Sequence, residues 1–393
     1  MRIAYLVCSL NPGGVATLLK HVIPVLREKG NEIDIIVTTE KGIMAAPLEA
    51  SGVTVHECLS HWHYDFKASY TLGKWFRKSA IISFIPRLAL LLKSLKVDLV
   101  HSHIHGLYCT SQLLAARLSG IPYILTMHSI SSNYQKKLIN KMVFCNLLRD
   151  GDSVCMVSKS VHEAYPYFTK KISKNLVFPP YGVPNGVIDS GPIDPNISLK
   201  VRKELGVSHE CGVIGSIGRV VHSKHYDQIL TVLARLIKAG KPTHFILVGD
   251  GPELENLKTL AQQLGVSEYC SFTGHMTNPE YWINAFDIYL FPTAFEGFPI
   301  AILEAMMKGI PLVCSNVSGN KDIIINRKNG LLFEFGDVDA MYNHTLTLMD
   351  DKVLAETLSR NSRNDFLDKY HINKFADTCV EIYKQRVRRK SQV

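Results

Sequence analysis

Two series of strand-like runs, separated by a stretch rich in Pro, Gly and Asn, constrain the fold of this chain most strongly. The runs lie at residues 33–37, 53–58, 99–103, 123–127 and 154–157, and again at 213–217, 245–248, 270–273, 288–291 and 311–314. Segments with helical spacing alternate with them, which is the pattern of parallel βαβ units. The break between residues 179 and 195 is typical of a hinge. The sequence therefore predicts an α/β protein of two Rossmann-like domains, residues 1–185 and 190–372, facing across a cleft.

Composition indicates a soluble globular protein. The chain has 393 residues, of which 46% are hydrophobic and 20% charged, enough for two domains of ordinary size. No secretory signal is expected at the N-terminus. The longest apolar run, residues 80–92, is interrupted by Pro86-Arg87 and is shorter than the ~20 residues that span a bilayer. Nine cysteines without a Cys-x-x-Cys pair predict reduced thiols, a cytoplasmic location and no zinc site.

The net positive charge of the chain lies in its first half. Residues 1–189 hold 21 Lys and Arg against 12 Asp and Glu, whereas the remainder holds 23 of each. Basic and aromatic side chains alternate between Lys67 and Lys96, and a further basic run follows Lys384. This pattern predicts peripheral contact with an anionic membrane surface. A solvated helix whose Lys stems cover apolar neighbours is the alternative. Because the second half is neutral and lacks a basic stripe, we expect no nucleic-acid partner.

A motif at residues 295–304, Phe-Glu-Gly-Phe-Pro-Ile-Ala-Ile-Leu-Glu, places two carboxylates around a predicted helix start. Pro299 suits the first turn of a helix. Glu296 then lies in the loop before the helix, and Glu304 lies about one and a half turns inside it. Free backbone N–H groups between them form an anion site. This order suits a sugar, a diphosphate and a ribose, although a capping acid followed by a surface Glu explains the same residues.

Two glycine-rich turns accompany this motif. Gly218-Arg219 follows a predicted strand, Lys224 comes five residues later, and a helix is predicted from Tyr226. Gly allows the backbone to approach a diphosphate, and two cations neutralise its charge. An ordinary solvated loop is the alternative. The second turn, from Gly249 to Pro252, follows a buried strand, at the end of a sheet where open α/β proteins bind ligands.

In this order and at these separations, the three motifs closely resemble those of retaining nucleotide-sugar glycosyltransferases of GT-B fold. This is the glycosyl transferases group 1 family, which includes sucrose-phosphate synthase and many bacterial surface-polysaccharide enzymes. The first half resembles the family at its first strand, at the Gly13-Gly14 loop and at the strands ending near His103 and His128. Two departures stand out. His225 follows Lys224 where the family usually has Gly, and Asp189 comes one place late after Asn185-Gly186, so we assign it no role.

The resemblance implies roles for these residues. Glu296 would contact donor-sugar hydroxyls and Glu304 the ribose hydroxyls, while Arg219 and Lys224 would stabilise charge on the departing diphosphate. Fixed cations and helix amides supply that charge, so we predict transfer without a metal or other cofactor, from a nucleotide sugar that we expect to be a UDP-sugar. The candidate catalytic residues are Arg219, Lys224, Glu296 and His128. The candidate donor-binding residues are Gly13, Gly14, Gly218, Gly249, Gly297, Phe298, Pro299 and Glu304.

Several residues of the first half keep two interpretations. His128 matches a family histidine that binds the donor sugar, but a strand-end histidine with a structural hydrogen bond fits equally. Gly13 and Gly14 allow close approach of a ligand or simply form a tight turn. His101, His103 and His105 alternate along a predicted strand and would share one face. A metal site there lacks an accompanying carboxylate or cysteine. The resemblance also implies that a last helix, about residues 373–393, packs on the first domain, the acceptor side.

The predicted function is transfer of a hexose or N-acetylhexosamine to a glycan acceptor, lipid-linked, in cell-surface polysaccharide synthesis. The enzyme would be a cytoplasmic hexosyltransferase, peripheral at the inner face of the membrane. Transfer to a small soluble acceptor, such as a sugar phosphate or malate, is the alternative. A sugar-nucleotide epimerase shares the fold, but the paired basic and acidic residues match transferases better. The sequence leaves the sugar, the base, the acceptor, the linkage and the oligomeric state open.

Overall fold

The computed structural model describes residues 1–58, 72–103, 107–129, 144–171, 184–208 and 210–390, with side chains omitted at 72–82, 107–108, 167–168, 171 and 389–390. The chain divides into two compact units. Unit 1 consists of Met1–Asn185 and Ile372–Val393, and unit 2 of Gly186–His371. The predicted hinge begins at residues 179–183, which lie outside the described residues.

Unit 1 contains a six-stranded parallel sheet with the strand order β3-β2-β1-β4-β5-β6. The chain therefore runs outward from β1 in both directions, and β1 and β4 flank the point where the order reverses. The strands are β1 Arg2–Ser9, β2 Glu32–Glu40, β3 Thr54–Glu57, β4 Leu99–Ser102, β5 Tyr123–Met127 and β6 Ser153–Met156. The helices are α1 Gly14–Glu28, α2 Ala45–Ala50, α3 Leu72–Ser94, α4 Leu107–Ser119, α5 Lys159–Glu163, α6 Pro166–Lys171 and α15 Ile372–Lys390.

Unit 2 contains a second six-stranded parallel sheet, with the order β12-β11-β10-β7-β8-β9. Its reversal point lies between β7 and β10. The strands are β7 Gly212–Ile217, β8 Thr243–Val248, β9 Cys270–Gly274, β10 Ile288–Phe291, β11 Leu312–Ser315 and β12 Leu331–Phe333. The helices are α7 Pro195–Glu204, α8 Tyr226–Lys238, α9 Leu254–Gln263, α10 Pro279–Ile283, α11 Ile300–Lys308, α12 Asn320–Ile323, α13 Val338–Asp350 and α14 Lys352–Asp365.

Burial explains why these segments form these elements. Every residue of β8 is buried, as expected for a central strand covered by helices on both faces. In α8 the buried side chains recur at three- and four-residue intervals and pack on this sheet: Tyr226, Ile229, Leu230, Val232, Leu233 and Leu236. The prediction of an α/β chain with two Rossmann-like sheets is confirmed.

The α3 helix is continuous although Pro86 lies inside it. Its described side chains alternate between buried and exposed positions, with Leu88 and Leu92 buried and Leu90 exposed. Within the described residues, no helix combines the length and the apolar character needed to cross a bilayer.

Candidate functional site

In unit 2 the predicted motifs lie at one edge of the sheet. The β7 strand pairs with β8 on one side and with β10 on the other, and all three run parallel. Gly218 directly follows β7, Gly249 directly follows β8, and Glu296 lies five residues after β10. The carboxyl ends of these strands therefore bring the three motifs together at the reversal point, where open α/β sheets bind ligands.

Gly218 and Gly249 are glycines because the backbone requires it. Both have positive φ angles, 146° and 154°. A Cβ atom on Gly249 would lie 1.9 Å from the Gly218 carbonyl oxygen. The Gly218 N–H in turn donates to the Val248 carbonyl at 3.0 Å. The two turns are thus in direct backbone contact, and no side chain separates them at the sheet edge.

Lys224 and Glu296 form an ion pair. The Lys224 ammonium donates to Glu296 Oε1, and the two side chains are only 19% and 17% exposed. The ammonium also lies 4.7 Å from the centre of the buried Phe291 ring. The Thr293 hydroxyl lies 3.2 Å from the same Glu296 oxygen. The solvated-loop alternative therefore does not describe Lys224, which is held in place beside a carboxylate.

The helix that follows Glu296 begins at Ile300, with Pro299 as its N-cap residue. No side chain of the described residues caps this end, so the first-turn N–H groups keep the partial positive charge of a helix start. Gly297, Phe298 and Pro299 are buried, and Glu304, the fifth residue of α11, is 5% exposed. Glu296 is thus not a capping acid and Glu304 is not a surface residue. The alternative interpretation of this motif is wrong.

Arg219 differs from Lys224 in its surroundings. Its side chain is exposed and makes no hydrogen bond or ion pair with the described residues. It lies between Gly218 and the buried Val220, on the turn that precedes the 3₁₀ helix His222–Lys224. The guanidinium is therefore attached to a fixed backbone but is itself available to solvent or to a ligand.

The two departures from the family have structural explanations. His225 adopts a left-handed conformation with φ 50°, which explains why glycine is usual at this position. Asp189 forms a two-pronged ion pair with Arg363, with both N···O distances 2.7 Å. Hydrogen bonding from Arg363 lowers the pKa of the Asp189 carboxyl. Arg363 also donates to the Met307 carbonyl at 2.5 Å, so Asp189 ties its segment to the end of α11.

In unit 1, Gly13 and Gly14 follow β1 and begin α1. Gly13 has an extended φ of 166° and Gly14 has no positive φ, so neither needs glycine for its backbone conformation. Among the described residues, a Cβ atom would meet nothing within 4 Å at Gly14, and at Gly13 only the Asn11 carbonyl at 4.0 Å. A tight turn therefore does not by itself require glycine at this pair, and no described residue fills the space beside it.

His128 directly follows β5, at the same sheet edge as Gly13 and Gly14. Its Nε2 atom lies 2.7 Å from His103 Nδ1, and the two rings stack with centres 5.0 Å apart. His103 follows β4 and stacks on Tyr5 of β1 at 5.2 Å. His128 is thus a strand-end histidine with a hydrogen bond. This geometry is compatible both with a structural role and with binding of the donor sugar.

A buried polar network that the sequence did not reveal lies behind this pair. The Tyr383 hydroxyl of α15 is 2.6 Å from the Tyr5 hydroxyl and 2.7 Å from His101 Nδ1. His101 Nε2 is 2.7 Å from the Thr126 hydroxyl. Burial, with a smaller contribution from His128, lowers the pKa of His101 to about 3. Since both nitrogens of His101 are occupied, a metal site at this strand is not supported. His105 lies outside the described residues.

Two Asp-x-Asp triplets, the kind of motif that can bind a divalent metal, are engaged elsewhere. Asp152 of the first is buried, pairs with Arg117 and accepts the Tyr123 N–H at 3.0 Å. In the second, Asp337 caps α13 and Asp339 pairs with Arg235 at 2.6 Å. No cluster of three His, Cys, Asp or Glu side chains suited to a metal occurs among the described residues.

Comparison with known families agrees with this geometry. A family model described as "Glycosyl transferases group 1" matches residues 198–365, and a "Glycosyltransferase Family 4" model matches residues 12–166. The chain is a glycosyltransferase whose unit 2 matches the group 1 family. The group 1 match contains all the unit 2 motifs, from Gly218 to Glu304, and the other match contains Gly13, Gly14 and His128.

Individual relatives of this glycosyltransferase include surface-glycan enzymes. The UDP-Gal:alpha-D-GlcNAc-diphosphoundecaprenol alpha-1,3-galactosyltransferase of Escherichia coli is 29% identical over 303 residues, which cover 75% of this chain and 76% of that protein. The structure is similar to that of Anabaena HepE in complex with UDP and glucose, with a TM-score of 0.80 and 20% identity over 98% of this chain and 100% of that one. The structure is also similar to that of sucrose-phosphate synthase from Thermosynechococcus elongatus, with a TM-score of 0.72 and 17% identity over 98% of each chain. These likenesses confirm the GT-B fold.

Proposed function

We propose that this glycosyltransferase moves a hexose or N-acetylhexosamine from a nucleoside diphosphate sugar, with UDP as the favoured nucleotide, to a glycan acceptor in surface-polysaccharide synthesis. Residues 190–372 would bind the nucleotide sugar and residues 1–185 the acceptor. The observation that carries the proposal is the arrangement at the sheet edge of unit 2. There a partly buried Lys224–Glu296 pair and an uncapped helix start accompany two glycine turns in contact.

Each of these groups suits one part of the donor. A diphosphate can approach the backbone at Gly218 and Gly249, where no side chain intervenes, and can accept hydrogen bonds from the first turn of α11. Arg219 and Lys224 supply positive charge. Glu296 has an oxygen for sugar hydroxyls, and the buried Glu304 of α11 can accept hydrogen bonds from the ribose. Solved structures of relatives contain UDP and a sugar, which supports UDP as the carrier.

We expect the reaction to retain the anomeric configuration. The bond between C1 of the sugar and the phosphate oxygen breaks, and the acceptor oxygen forms a bond to C1 on the same face. The acceptor proton passes to the departing diphosphate oxygen, so atoms and charges balance. Arg219 and Lys224 stabilise the charge that develops on that oxygen, which is the largest contribution expected from fixed groups. His128 would orient the donor sugar, and the open space at Gly13 and Gly14 would admit a ligand close to the backbone.

A lipid-linked acceptor is supported by a relative and by one surface of unit 1. The E. coli relative is named for a diphosphoundecaprenol substrate. In α3, Arg87, Leu90 and Lys93 lie on one side of the helix, and Leu90 is 68% exposed. Ser119 of α4 donates to the Ala89 carbonyl at 3.0 Å, and its neighbour Leu118 is 59% exposed. Exposed leucines beside basic groups suit peripheral binding to an anionic membrane from the cytoplasm.

A donor screen tests the proposed function. Thermal denaturation is measured with UDP-glucose, UDP-galactose, UDP-N-acetylglucosamine and their GDP and ADP counterparts. A ligand at a hundred times its Kd adds about 2.7 kcal/mol to the free energy of unfolding. The stabilising donor is then incubated with a polyprenyl diphosphate-linked sugar and with soluble sugar phosphates. NMR of the product gives the anomeric configuration. If no nucleotide sugar stabilises the protein, the proposed function is wrong. If only soluble acceptors are glycosylated, the lipid-linked acceptor is wrong.

A further inference from the structure

The two oxygens of the Glu296 carboxylate have different surroundings. Oε1 accepts a hydrogen bond from the Lys224 ammonium and lies 3.2 Å from the Thr293 hydroxyl. Oε2 has no hydrogen-bond partner among the described residues. One oxygen of this carboxylate is therefore committed to the protein, and the other remains able to accept a hydrogen bond from a ligand.

Thr293 links this carboxylate to the loop that carries the lysine. Its side chain is fully buried, and its hydroxyl lies 3.1 Å from the Ser223 carbonyl, one residue before Lys224. The Ala294 N–H donates to that same carbonyl at 2.9 Å. The Thr293 carbonyl accepts from the Ser315 hydroxyl at 2.6 Å, which anchors the threonine to β11. The Phe295 carbonyl lies 3.3 Å from the Thr293 hydroxyl, which has one proton to donate among these acceptors. Because the Ala294 N–H already holds the Ser223 carbonyl, the Thr293 hydroxyl is able to donate to Glu296 Oε1 and so to position the carboxylate beside Lys224.

The ion pair between Lys224 and Glu296 competes with the binding of a ligand by either side chain. Lys224 cannot give its full charge to a diphosphate while Glu296 neutralises it. Conversely, if Lys224 moves to a phosphate, the partly buried Glu296 loses the cation that balances its charge, which is unfavourable at low solvent exposure. Hydroxyl groups that donate to a carboxylate compensate its charge in place of a cation. A hexose attached to the diphosphate can provide such hydroxyls at Oε2.

We propose that Glu296 couples recognition of the sugar to release of Lys224. Hexose hydroxyls on Glu296 free the ammonium to bind the diphosphate, so the site prefers a nucleoside diphosphate that still carries its sugar. After transfer the hydroxyls leave with the product, Glu296 recovers Lys224, and the bare nucleotide dissociates. Thr293 is the positioning residue of this pair. The inference rests on the proposed function, since it assumes a nucleotide sugar as donor.

The test compares two ligands, UDP and the UDP-sugar found in the donor screen. Calorimetry measures Kd for UDP, and steady-state kinetics measure kcat/KM for the UDP-sugar. Glu296→Gln removes the charge that competes for Lys224. We expect UDP to bind roughly 2- to 150-fold more tightly, the range of measured pair couplings, while kcat/KM for the UDP-sugar falls. Tighter binding of UDP together with a lower kcat/KM for the UDP-sugar indicates the coupling. A poorly folded variant would instead bind UDP more weakly and also turn over the UDP-sugar more slowly.

A double-mutant cycle separates coupling from simple charge repulsion. In a Lys224→Gln background, Glu296→Gln should leave UDP affinity unchanged within about twofold. If it strengthens UDP binding equally in both backgrounds, Glu296 merely repels the diphosphate and the coupling is wrong. If UDP binding strengthens equally in both backgrounds while the parent enzyme still turns over the UDP-sugar, the coupling is wrong but the proposed function stands. A parent that binds no nucleotide sugar would overturn the proposed function instead.

Variants of Thr293 provide a second route if Glu296→Gln is poorly folded. Thr293→Val keeps the shape of the side chain but removes the hydroxyl, and should shift preference toward bare UDP in the same direction. Thr293→Ser keeps the hydroxyl and should restore the parent ratio of UDP affinity to UDP-sugar turnover. Equal ratios in the Val and Ser variants would show that Thr293 only fills space.

Discussion

Two glycine pairs of this protein are conformationally different. Gly218 and Gly249 have left-handed backbone angles, and the backbone of Gly218 occupies the space where a side chain on Gly249 would lie. Gly13 and Gly14 have neither restriction. An alanine should therefore disturb the fold at Gly218 or Gly249 and spare it at Gly13 or Gly14, where no described residue requires glycine.

This contrast gives the first prediction. Gly249→Ala should lower the free energy of unfolding by roughly 2 kcal/mol or more, because strain and overlap both oppose it. Gly14→Ala should change it by less than ~0.5 kcal/mol, yet reduce transfer activity at least tenfold if a ligand approaches this backbone. Thermal denaturation and initial rates measure the two effects. A fully active Gly14→Ala enzyme would exclude close approach of a ligand at Gly14.

The basic residues of the donor site give the second prediction. Arg219→Ala or Lys224→Ala should lower kcat about 10²- to 10³-fold, the scale found when one charge-stabilising donor is removed. Arg219→Ala should leave stability nearly unchanged because its exposed side chain makes no hydrogen bond or ion pair with a described residue. Lys241→Ala is the matched control, since the Lys241 side chain forms a surface ion pair with Asp350, remote in sequence from the donor-site motifs. Unchanged turnover with saturating donor in both site variants would remove these residues from the mechanism.

At the scale of elements, the start of α11 and the two cations together replace a metal ion in the proposed mechanism. We expect transfer to continue at the full rate in excess EDTA, because Arg219, Lys224 and the first-turn N–H groups balance the charge on the diphosphate. The rate before and after chelation is the measurement. Loss of activity on chelation, with recovery on addition of Mg²⁺ or Mn²⁺, would contradict this account of the leaving group.

The exposed side of α3 gives a prediction about membranes. Lys67 and the side chains of Lys74, Arg77 and Lys78 lie outside the described residues, so Leu90 and Lys93 are the better test. Leu90→Ser with Lys93→Glu should weaken binding to anionic vesicles about tenfold, since each basic group near the surface contributes roughly 1 kcal/mol. Salt should weaken binding by the parent as well.

A matched double variant of unit 2 provides the control for this experiment. Lys352→Glu with Val353→Ser makes the same kinds of change at the start of α14, where Val353 is 77% exposed. It should pellet with vesicles as well as the parent does. If the α3 variant also pellets normally, this side of α3 is an ordinary solvated surface and a soluble acceptor becomes the better interpretation.

Elements were predictable from the sequence where they are long and buried. Helix α8 was located from its apolar spacing, whereas the three-residue β12 was absent from the predicted series because so short a run has no recognisable period. Lys224 and Glu296 were each assigned to the donor site, but their contact was not foreseen. They lie 72 residues apart and meet only because β7 and β10 are neighbours. Tyr383 was missed for the same reason, since 282 residues separate it from His101.

At the scale of the whole molecule, buried histidines make stability depend on pH. Burial lowers the pKa of His101 to about 3 and, as the main cause, that of His21 and His244 to about 4. In the unfolded chain these groups bind a proton near pH 6.5. Their contribution to the free energy of unfolding is therefore complete above pH 6.5. It is lost as the pH falls toward the pKa values of these histidines in the folded protein. The free energy of unfolding should fall by up to about 1.4 kcal/mol per pH unit for each histidine.

Melting temperatures between pH 5 and 7 test this dependence, in a range where most carboxylates remain ionised. His101→Gln should reduce the slope of melting temperature against pH by the contribution of one histidine. This reduction is expected whether or not the substitution changes the stability at a single pH. Replacing the exposed His275 by Gln provides the matched control. Identical slopes for all three proteins would show that His101 binds its proton over the same pH range in the folded and the unfolded chain.

Unit 1 is built from both ends of the chain, and this has a consequence for translation. Tyr5 and His101 share the Tyr383 hydroxyl, which a ribosome adds only after residues 186–371. At ordinary elongation rates that interval lasts ~10–40 s. During it the nascent unit 1 lacks α15 and exposes the surface that this helix later covers, while the continuous unit 2 can fold as it emerges. We therefore expect the C-terminal half to reach its native state first, and chaperones to hold the N-terminal half until the last helix arrives.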